Sequence, residues 1–403
     1  MALTPLMVSL RIPGEWRDAW LYREHLVVWQ RDNTMLSVSL DSLLRDVARH
    51  YDEATATALE YALLRNDWKN SDQFRKLTRI PGIAENLRSA LRATADGITL
   101  TTGALGFEPA HVEPAAGVLL DSHIYANRIY CASTEGLFES RFYGASGVGG
   151  HQEQLMSRRV ADVSAKYACL NVSAEDEGLW FQPIAFKDQA GLSGAIKFER
   201  VAEMSLGISH ASRHLLNYID ASVPQFLRAQ AHRGRATEGA EYDEWQVSGY
   251  QEPLDFTRAA AAALEVQGKV ELEAVETMPN YVGAPTIDVL GNSDYRLLID
   301  WRDELHVLDI SAYEDRDVAL RPDRRFAAAN RISLNKGDVL QTYAIGAGFL
   351  VETFDEVRLL TDSGAYLFFR GAAARVRTFT SSRRYKDVGV VIDDRAMHII
   401  GFL

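Results

Sequence analysis

Chemistry usually announces itself through a few residue types, and this chain has little of them. Only two cysteines, Cys131 and Cys169, occur in 403 residues. Each sits in an apolar, strand-like run, which argues against a disulfide framework and for small buried hydrophobes in a reducing compartment. No run of about 18 apolar residues occurs, so no membrane-spanning helix is expected. The opening stretch MALTPLMVSLRIPGEW lacks the basic segment and long apolar core of a secretory leader. A soluble, cytoplasmic protein is the expectation. His210 and His214 have the four-residue spacing of a metal pair on a helix, but no Glu follows His210 and HExxH is absent. The run Ser-His-Ala-Ser-Arg-His reads instead as a polar turn between strands. Gly144 to Gly150 (GASGVGG) has the glycines of an anion-cradling loop without the Gly-Lys-Ser/Thr ending. It reads as a connection, with Gln152 to Arg159 the one candidate for the short helix such a loop requires. No catalytic residue, metal ligand set or cofactor is assigned.

Composition is that of an ordinary globular protein, 47% hydrophobic and 24% charged. The balance of 43 basic against 55 acidic residues gives a net charge of −12, which disfavours a surface built throughout for polyanions.

What the chain does have is a recurring meander of apolar strand, tight turn, apolar strand, second turn and third strand. It is clearest at Phe349 to Phe369 (FLVETFDEVRLLTDSGAYLFF). Versions recur at Trp20 to Leu40, His123 to Phe142 and Val160 to Ile184. Anchors placed at the second strand of each unit fall at Leu26, Ile129, Cys169, Leu305, Val357 and Met397. The intervals from Ile129 to Cys169 and from Val357 to Met397 are each 40 residues, a blade-like period. The interval from Leu26 to Ile129 is longer because Asp41 to Asp96 reads as helix, with Asp41 as N-cap and Leu59, Ala62 and Leu63 at helical spacing. The interval from Cys169 to Leu305 has room for two weakly marked units, one around His210 to Ala229 and one in Tyr242 to Glu276.

A degenerate antiparallel meander of this period predicts a mostly β protein, a β-propeller of about seven blades (six to eight), with an α-helical insertion after the first blade. Residues 1–403 are read as one propeller domain and 41–96 as an insertion within it. The last strand-like run, in Val388 to Leu403, leaves a sheet one strand short, and Leu6 to Ile12 (LMVSLRI) is the natural missing strand. This arrangement resembles the closure of WD40-type propellers, in which the two ends of the chain share a blade. The resemblance is architectural. Repeated Gly-His and Trp-Asp pairs, a kelch double-glycine series and sialidase Asp boxes are all absent.

Acidic pairs mark the turns: Glu175, Asp176 and Glu177; Asp355 and Glu356; Asp393 and Asp394. Carboxylates facing a central funnel would suit glycoside hydrolysis or a divalent cation. Turn chemistry demands the same residues for local hydrogen bonding, and that is the reading adopted. Two basic tracts carry Arg321, Arg324 and Arg325, and Arg375, Arg377, Arg383 and Arg384, a set suited to phosphate or nucleic-acid contact. Aromatic interleaving is thin there, and solvated loops are the simpler reading. In the helical insertion, Arg65, Trp68, Lys69, Phe74 and Arg75 combine aromatics with cations, the composition of an interface anchor. The expected function is a non-enzymatic interaction scaffold or regulatory subunit that binds a protein partner through propeller loops and this insertion. The rivals are a propeller enzyme acting on a carbohydrate or small molecule and, more weakly, nucleic-acid contact through the basic loops.

Overall fold

Seven sheets make up the β structure, six of four strands and one of five. The computed structural model describes residues 6–402 except 50, 64–70, 93, 95–96, 101–105, 110–113, 144–147, 185–196, 212–213, 221–223, 234–244, 255–286, 294–295, 302–303, 310–320 and 323–337. Five of the sheets are built from strands consecutive in sequence, and the other two also take a strand from elsewhere in the chain. Blade 1 is Trp16–Tyr22, His25–Gln30, Met35–Ser39 and Glu108–Pro109, and blade 2 is Leu119–Tyr125, Arg128–Ser133, Gly136–Phe142 and Val148–Met156. Blade 3 is Asp162–Lys166, Cys169–Ser173, Leu179–Pro183 and Glu199–Ala202, and blade 4 is Gly207–Ala211, His214–Tyr218, Gln225–Arg233 and Trp245–Leu254. Blade 5 is Ile287–Asn292, Arg296–Trp301, Glu304–Asp309 and Arg321–Pro322, and blade 6 is Gln341–Ile345, Gly348–Glu352, Glu356–Thr361 and Gly364–Arg370. Blade 7 is Arg375–Thr378, Gly389–Ile392 and Ala396–Phe402, completed by Met7–Pro13 from the other end of the chain. This is the sheet order of a seven-bladed β-propeller with WD40-like closure.

The shared sheet follows from alternation. In Met7–Pro13 the buried residues are Val8, Leu10 and Ile12, every second position, so one face is apolar. That strand pairs antiparallel along its whole length, from Met7 opposite Phe402 to Pro13 opposite Ala396. Second strands such as Cys169–Ser173 and Gly348–Glu352 are buried on both faces, which is why they read as unbroken apolar runs. In blades 1, 2 and 3 the first two strands are joined by pairs at positive φ: Arg23–Glu24, Ala126–Asn127 and Tyr167–Ala168. Both central residues of a type I′ turn need that conformation, and its twist matches the strands it joins.

Between Cys169 and Leu305 there is one further blade, not two. Trp245–Leu254 is the fourth strand of blade 4, and the Ala-rich stretch after it lies outside the described residues. The anchors Leu305, Val357 and Met397 fall in third strands, whereas Leu26, Ile129 and Cys169 fall in second strands. The two hairpins of a meander carry the same pattern, so the count slipped by one strand. Gly149 and Gly150 belong to the strand Val148–Met156, so the glycine cluster opens a strand and not a helix.

The insertion is helical. Helix α1 is Leu40–Ala48, α2 is Glu53–Leu63, α3 is Asp72–Thr78 and α4 is Ile83–Arg92. Ser39, not Asp41, caps α1, its hydroxyl accepting from Ser42 N–H at 3.4 Å; the strand ends one residue before the helix begins, so the cap falls earlier than the charge. Asp52 accepts from Thr55 N–H at 2.7 Å at the head of α2, which holds its carboxyl below the usual range. Ser71 caps α3 through Phe74 N–H at 3.0 Å.

These helices do not stand apart from the sheets. Leu43, Leu44, Val47, Leu59, Leu63 and Leu91 share one core with Val8, Leu10, Ile12, Ile392, Met397 and Ile399 of blade 7. A Cβ on Gly401 would lie 2.2 Å from the Ala62 carbonyl oxygen, so the closest approach of α2 to the last strand requires glycine. After α4 the chain adds Ile98–Thr99 as a parallel fifth strand on Met7–Pro13. The apolar stripes of α1 and α2 therefore have strands of blade 7 as their partner.

By compactness the chain divides into two units. One comprises Met1–Ala115, Ser140–Gln152 and Tyr343–Leu403, the other Ala116–Glu139 and Glu153–Thr342. The first contains the helical core just described and a second core around Leu350, Leu359 and Ile400. The second contains cores around Leu170 and Val172, around Leu215 and Leu227, and around Cys169 and Phe181.

Candidate functional site

The carboxylates that could have served chemistry are occupied by structure. Asp18, in the first strand of blade 1, has no exposed side-chain surface and is gripped by both Arg377 nitrogens, Nε at 2.8 Å, with an Arg375 nitrogen 3.5 Å away. In the second unit Asp121 accepts from Val163 N–H at 3.1 Å, and Asp162 accepts from Ile208 N–H at 2.8 Å. An acid in the first strand of one blade thus ties the first strand of the next. The signal is present in the sequence for blades 1 to 3, where Asp18, Asp121 and Asp162 each stand in a first strand, while the first strands of blades 4, 6 and 7 carry no Asp.

The turn acids do what turn chemistry asks. Glu175 pairs with Arg159 at 2.8 Å and Glu177 with Arg158 at 2.5 Å. Glu356 pairs with Arg358, and Asp355 accepts from the Thr353 hydroxyl at 3.2 Å. Asp393 accepts from Arg395 and Ala396 N–H, each at 2.7 Å, and lies 3.0 Å from His398 Nε2. No group of three His, Cys, Asp or Glu suited to a metal ion occurs among the described residues.

His210 stands opposite Leu215 and His214 opposite Ala211 in the first hairpin of blade 4, so the two imidazoles lie on opposite faces of the sheet and on strands rather than on one helix. His210 is half-buried, and desolvation holds its imidazole well below its ordinary value, with Lys166 and His123 acting in the same direction. Neutral His210 Nε2 accepts from Asn171 Nδ2 at 3.3 Å. Tyr250 beside Cys169 is pushed well above its usual range, again chiefly by burial. The cysteines are free and buried.

The basic tract near the end of the chain is largely spent. Arg375 and Arg377 serve Asp18, Arg384 pairs with Glu24, and Arg383 is exposed. The acids come from blade 1, far away in sequence, so the tract looked unopposed when read alone. Arg321 begins the two-residue strand Arg321–Pro322, while Arg324 and Arg325 lie outside the described residues.

Of the anchors expected in the helical insertion, only Phe74 and Arg75 belong to described elements. Arg65, Trp68 and Lys69 lie outside the described residues, and Arg75 is in α3. Phe74 is 9% exposed and packs its ring 5.5 Å from that of Tyr61, so it holds α3 to α2 and is no open anchor. The open apolar surface is one turn further on. Leu77 is 40% exposed and Ile80 50% exposed, flanked by exposed Lys76, Arg79 and Pro81. Leu77 ends the α3 stripe, and Ile80 N–H bonds to Leu77 C=O at 3.0 Å, so the two sit together at the turn into α4. Among the described residues, neither Lys76 nor Arg79 has a carboxylate partner. Sequence reasoning passed over Leu77 and Ile80 because aliphatic residues at helical spacing ordinarily face a core.

No protein-family model and no curated protein matches this sequence. Among solved structures the chain is similar to the WD40 domain of Pan2 from Neurospora crassa, at 8% identity over 96% of this chain and 89% of that one, TM-score 0.46. It is also similar to the β-propeller domain of Cps50 (Swd1) from Myceliophteria thermophila, at 8% identity over 97% and 99% of the two chains, TM-score 0.48. A third similarity is to the computationally designed protein Ika8, at 7% identity over 97% and 98%, TM-score 0.43. At such identities and scores no activity or partner transfers. The fold assignment rests on the sheet order itself.

Proposed function

We propose that this protein is a non-enzymatic interaction scaffold or regulatory subunit whose docking element is the outer end of the helical insertion. One observation carries the reading: Leu77 and Ile80 are exposed at the turn from α3 into α4, whereas Leu43, Val47, Leu59, Leu63, Phe74 and Leu91 of the same module are buried. A helical insertion can stabilise a blade with its inner face alone, and that purpose gives no reason for leucine and isoleucine in solvent at its tip. Arg65, Trp68 and Lys69 of the same module belong to the proposed surface, and Phe74 supports it from beneath. The rival enzymatic reading is favoured by no observation, since the acids that motivated it bond to arginines, hydroxyls and backbone N–H groups. The nucleic-acid reading loses Arg375, Arg377 and Arg384 to ion pairs.

The test is affinity capture from the native lysate by the intact chain and by Leu77→Asp/Ile80→Asp. The variant should lose specific partners while its thermal melt stays close to that of the parent, because substitutions at exposed positions usually change stability by less than about 0.5 kcal/mol. Undiminished capture by the variant would move the docking surface elsewhere.

A further inference from the structure

The chemistry around Leu77 and Ile80 specifies more than a generic docking surface. Several arginines are neutralised: Arg128 by Glu139, Arg158 by Glu177, Arg159 by Glu175, Arg377 by Asp18 and Arg384 by Glu24. Lys76 and Arg79 are exposed and make no ion pair among the described residues, and they alternate with the two exposed aliphatics in the order Lys76, Leu77, Arg79, Ile80. The C-terminal carbonyls of α3 favour cations in this turn, which accounts for the charges but not for the apolar pair. In a chain of net charge −12, two uncompensated cations bracketing an apolar pair form a local inversion of the surface.

We propose that the occupant of this tip is an acidic amphipathic segment of a partner protein, its apolar side chains on Leu77 and Ile80 and its carboxylates on Lys76 and Arg79. The proposal rests on the reading of the tip as the docking element. The apolar contact supplies affinity. The cations, held outside any internal pair, give orientation and reject neutral or basic segments of the same shape. The net charge of −12 disfavours binding of such a segment to the surface at large.

The experiment uses the intact chain and three probes: a helical peptide of Leu, Ala and Glu, the same peptide with Gln for Glu, and phosphatidylserine vesicles. Fluorescence anisotropy should show the Glu peptide binding, with affinity falling on the order of tenfold from low to moderate salt. Lys76→Glu/Arg79→Glu and Leu77→Ser/Ile80→Ser should each remove that binding, with circular dichroism confirming the fold of both variants. Lys76→Gln/Arg79→Gln, a milder change, should weaken it part-way. Equal binding of the Gln peptide overturns the proposal, as does capture by vesicles without peptide binding. Concentration-dependent self-association that the tip variants abolish would make a second copy the occupant and overturn it too. If no peptide binds while lysate capture still depends on Leu77 and Ile80, this inference falls and the docking reading stands. Capture that ignores the tip altogether removes both.

Discussion

Two kinds of joint between blades do the same task with different chemistry. Between blades 7 and 1, buried Asp18 meets the guanidinium of Arg377, and the shared sheet is covered by α1 and α2. Between blades 2 and 3 and between blades 3 and 4, Asp121 and Asp162 each accept from a backbone N–H of the next first strand. Where neighbouring blades are joined by a short connection, a carboxylate on a backbone N–H aligns two first strands. Where strands from opposite ends of the sequence must find each other, the fold adds an ion pair, a helical cover and a fifth strand. A buried ion pair adds little net stability over an apolar contact, but it penalises misaligned closure, since each charge is costly without the other. The difference is one of register and specificity.

The comparison breaks most severely if the cover is taken away. Replacing residues 41–96 by a Gly/Ser linker should leave an unfolded chain by circular dichroism, because it strips Leu43, Leu59, Leu63 and Leu91 from the shared core. Each such side chain contributes about 2–5 kcal/mol by truncation data, against a total stability of about 5–15 kcal/mol. A folded deletion variant would show the helices to be accessory.

Next in size comes the acid itself. Asp18→Ala should cost about 3–5 kcal/mol, since it leaves the mostly buried Arg377 without its partner. Asp121→Ala should cost about 1–3 kcal/mol, the penalty of one orphaned N–H. Denaturant titration of the two variants side by side checks the order, and equal losses would erase the distinction between the joints.

Acidification should act through blade 4. The depressed imidazole of His210 means that the unfolded chain takes up a proton before the folded one does. Stability should hold above the ordinary histidine value of 6.5 and fall as pH drops below it. His398, also depressed chiefly by burial, acts in the same direction. Thermal melts from pH 8 to pH 5 should show this slope, and His210→Gln should flatten it relative to the parent. The smallest stability change belongs to Leu77→Asp/Ile80→Asp, whose effect should appear in partner capture alone.

Much of this was legible in the residues. The alternation of Val8, Leu10 and Ile12 predicted a strand with one apolar face, and the missing strand of the last sheet identified its partner. The helical spacing of Leu59, Ala62 and Leu63 predicted α2. The slip in blade phase at Leu305, Val357 and Met397 arose because a period-two pattern is the same in both hairpins of a meander. The interface residues were harder. Phe74 and Leu77 lie three positions apart on one short helix, and periodicity alone assigns both to the same stripe. Only the position of Tyr61 places Phe74 inside and leaves Leu77 in solvent.

The sequence by itself determined the class of fold, the joining of the two chain ends and the presence of helices between Ser39 and Arg92, because these depend on local propensity and on which face of each element is apolar. Tertiary structure alone decided what lies against those faces. It set α1 and α2 on blade 7, assigned Arg377 to Asp18 across more than three hundred residues of chain, and left Lys76, Leu77, Arg79 and Ile80 uncovered. Burial and charge pairing are properties of neighbours in space, and a linear pattern records only that a neighbour is needed.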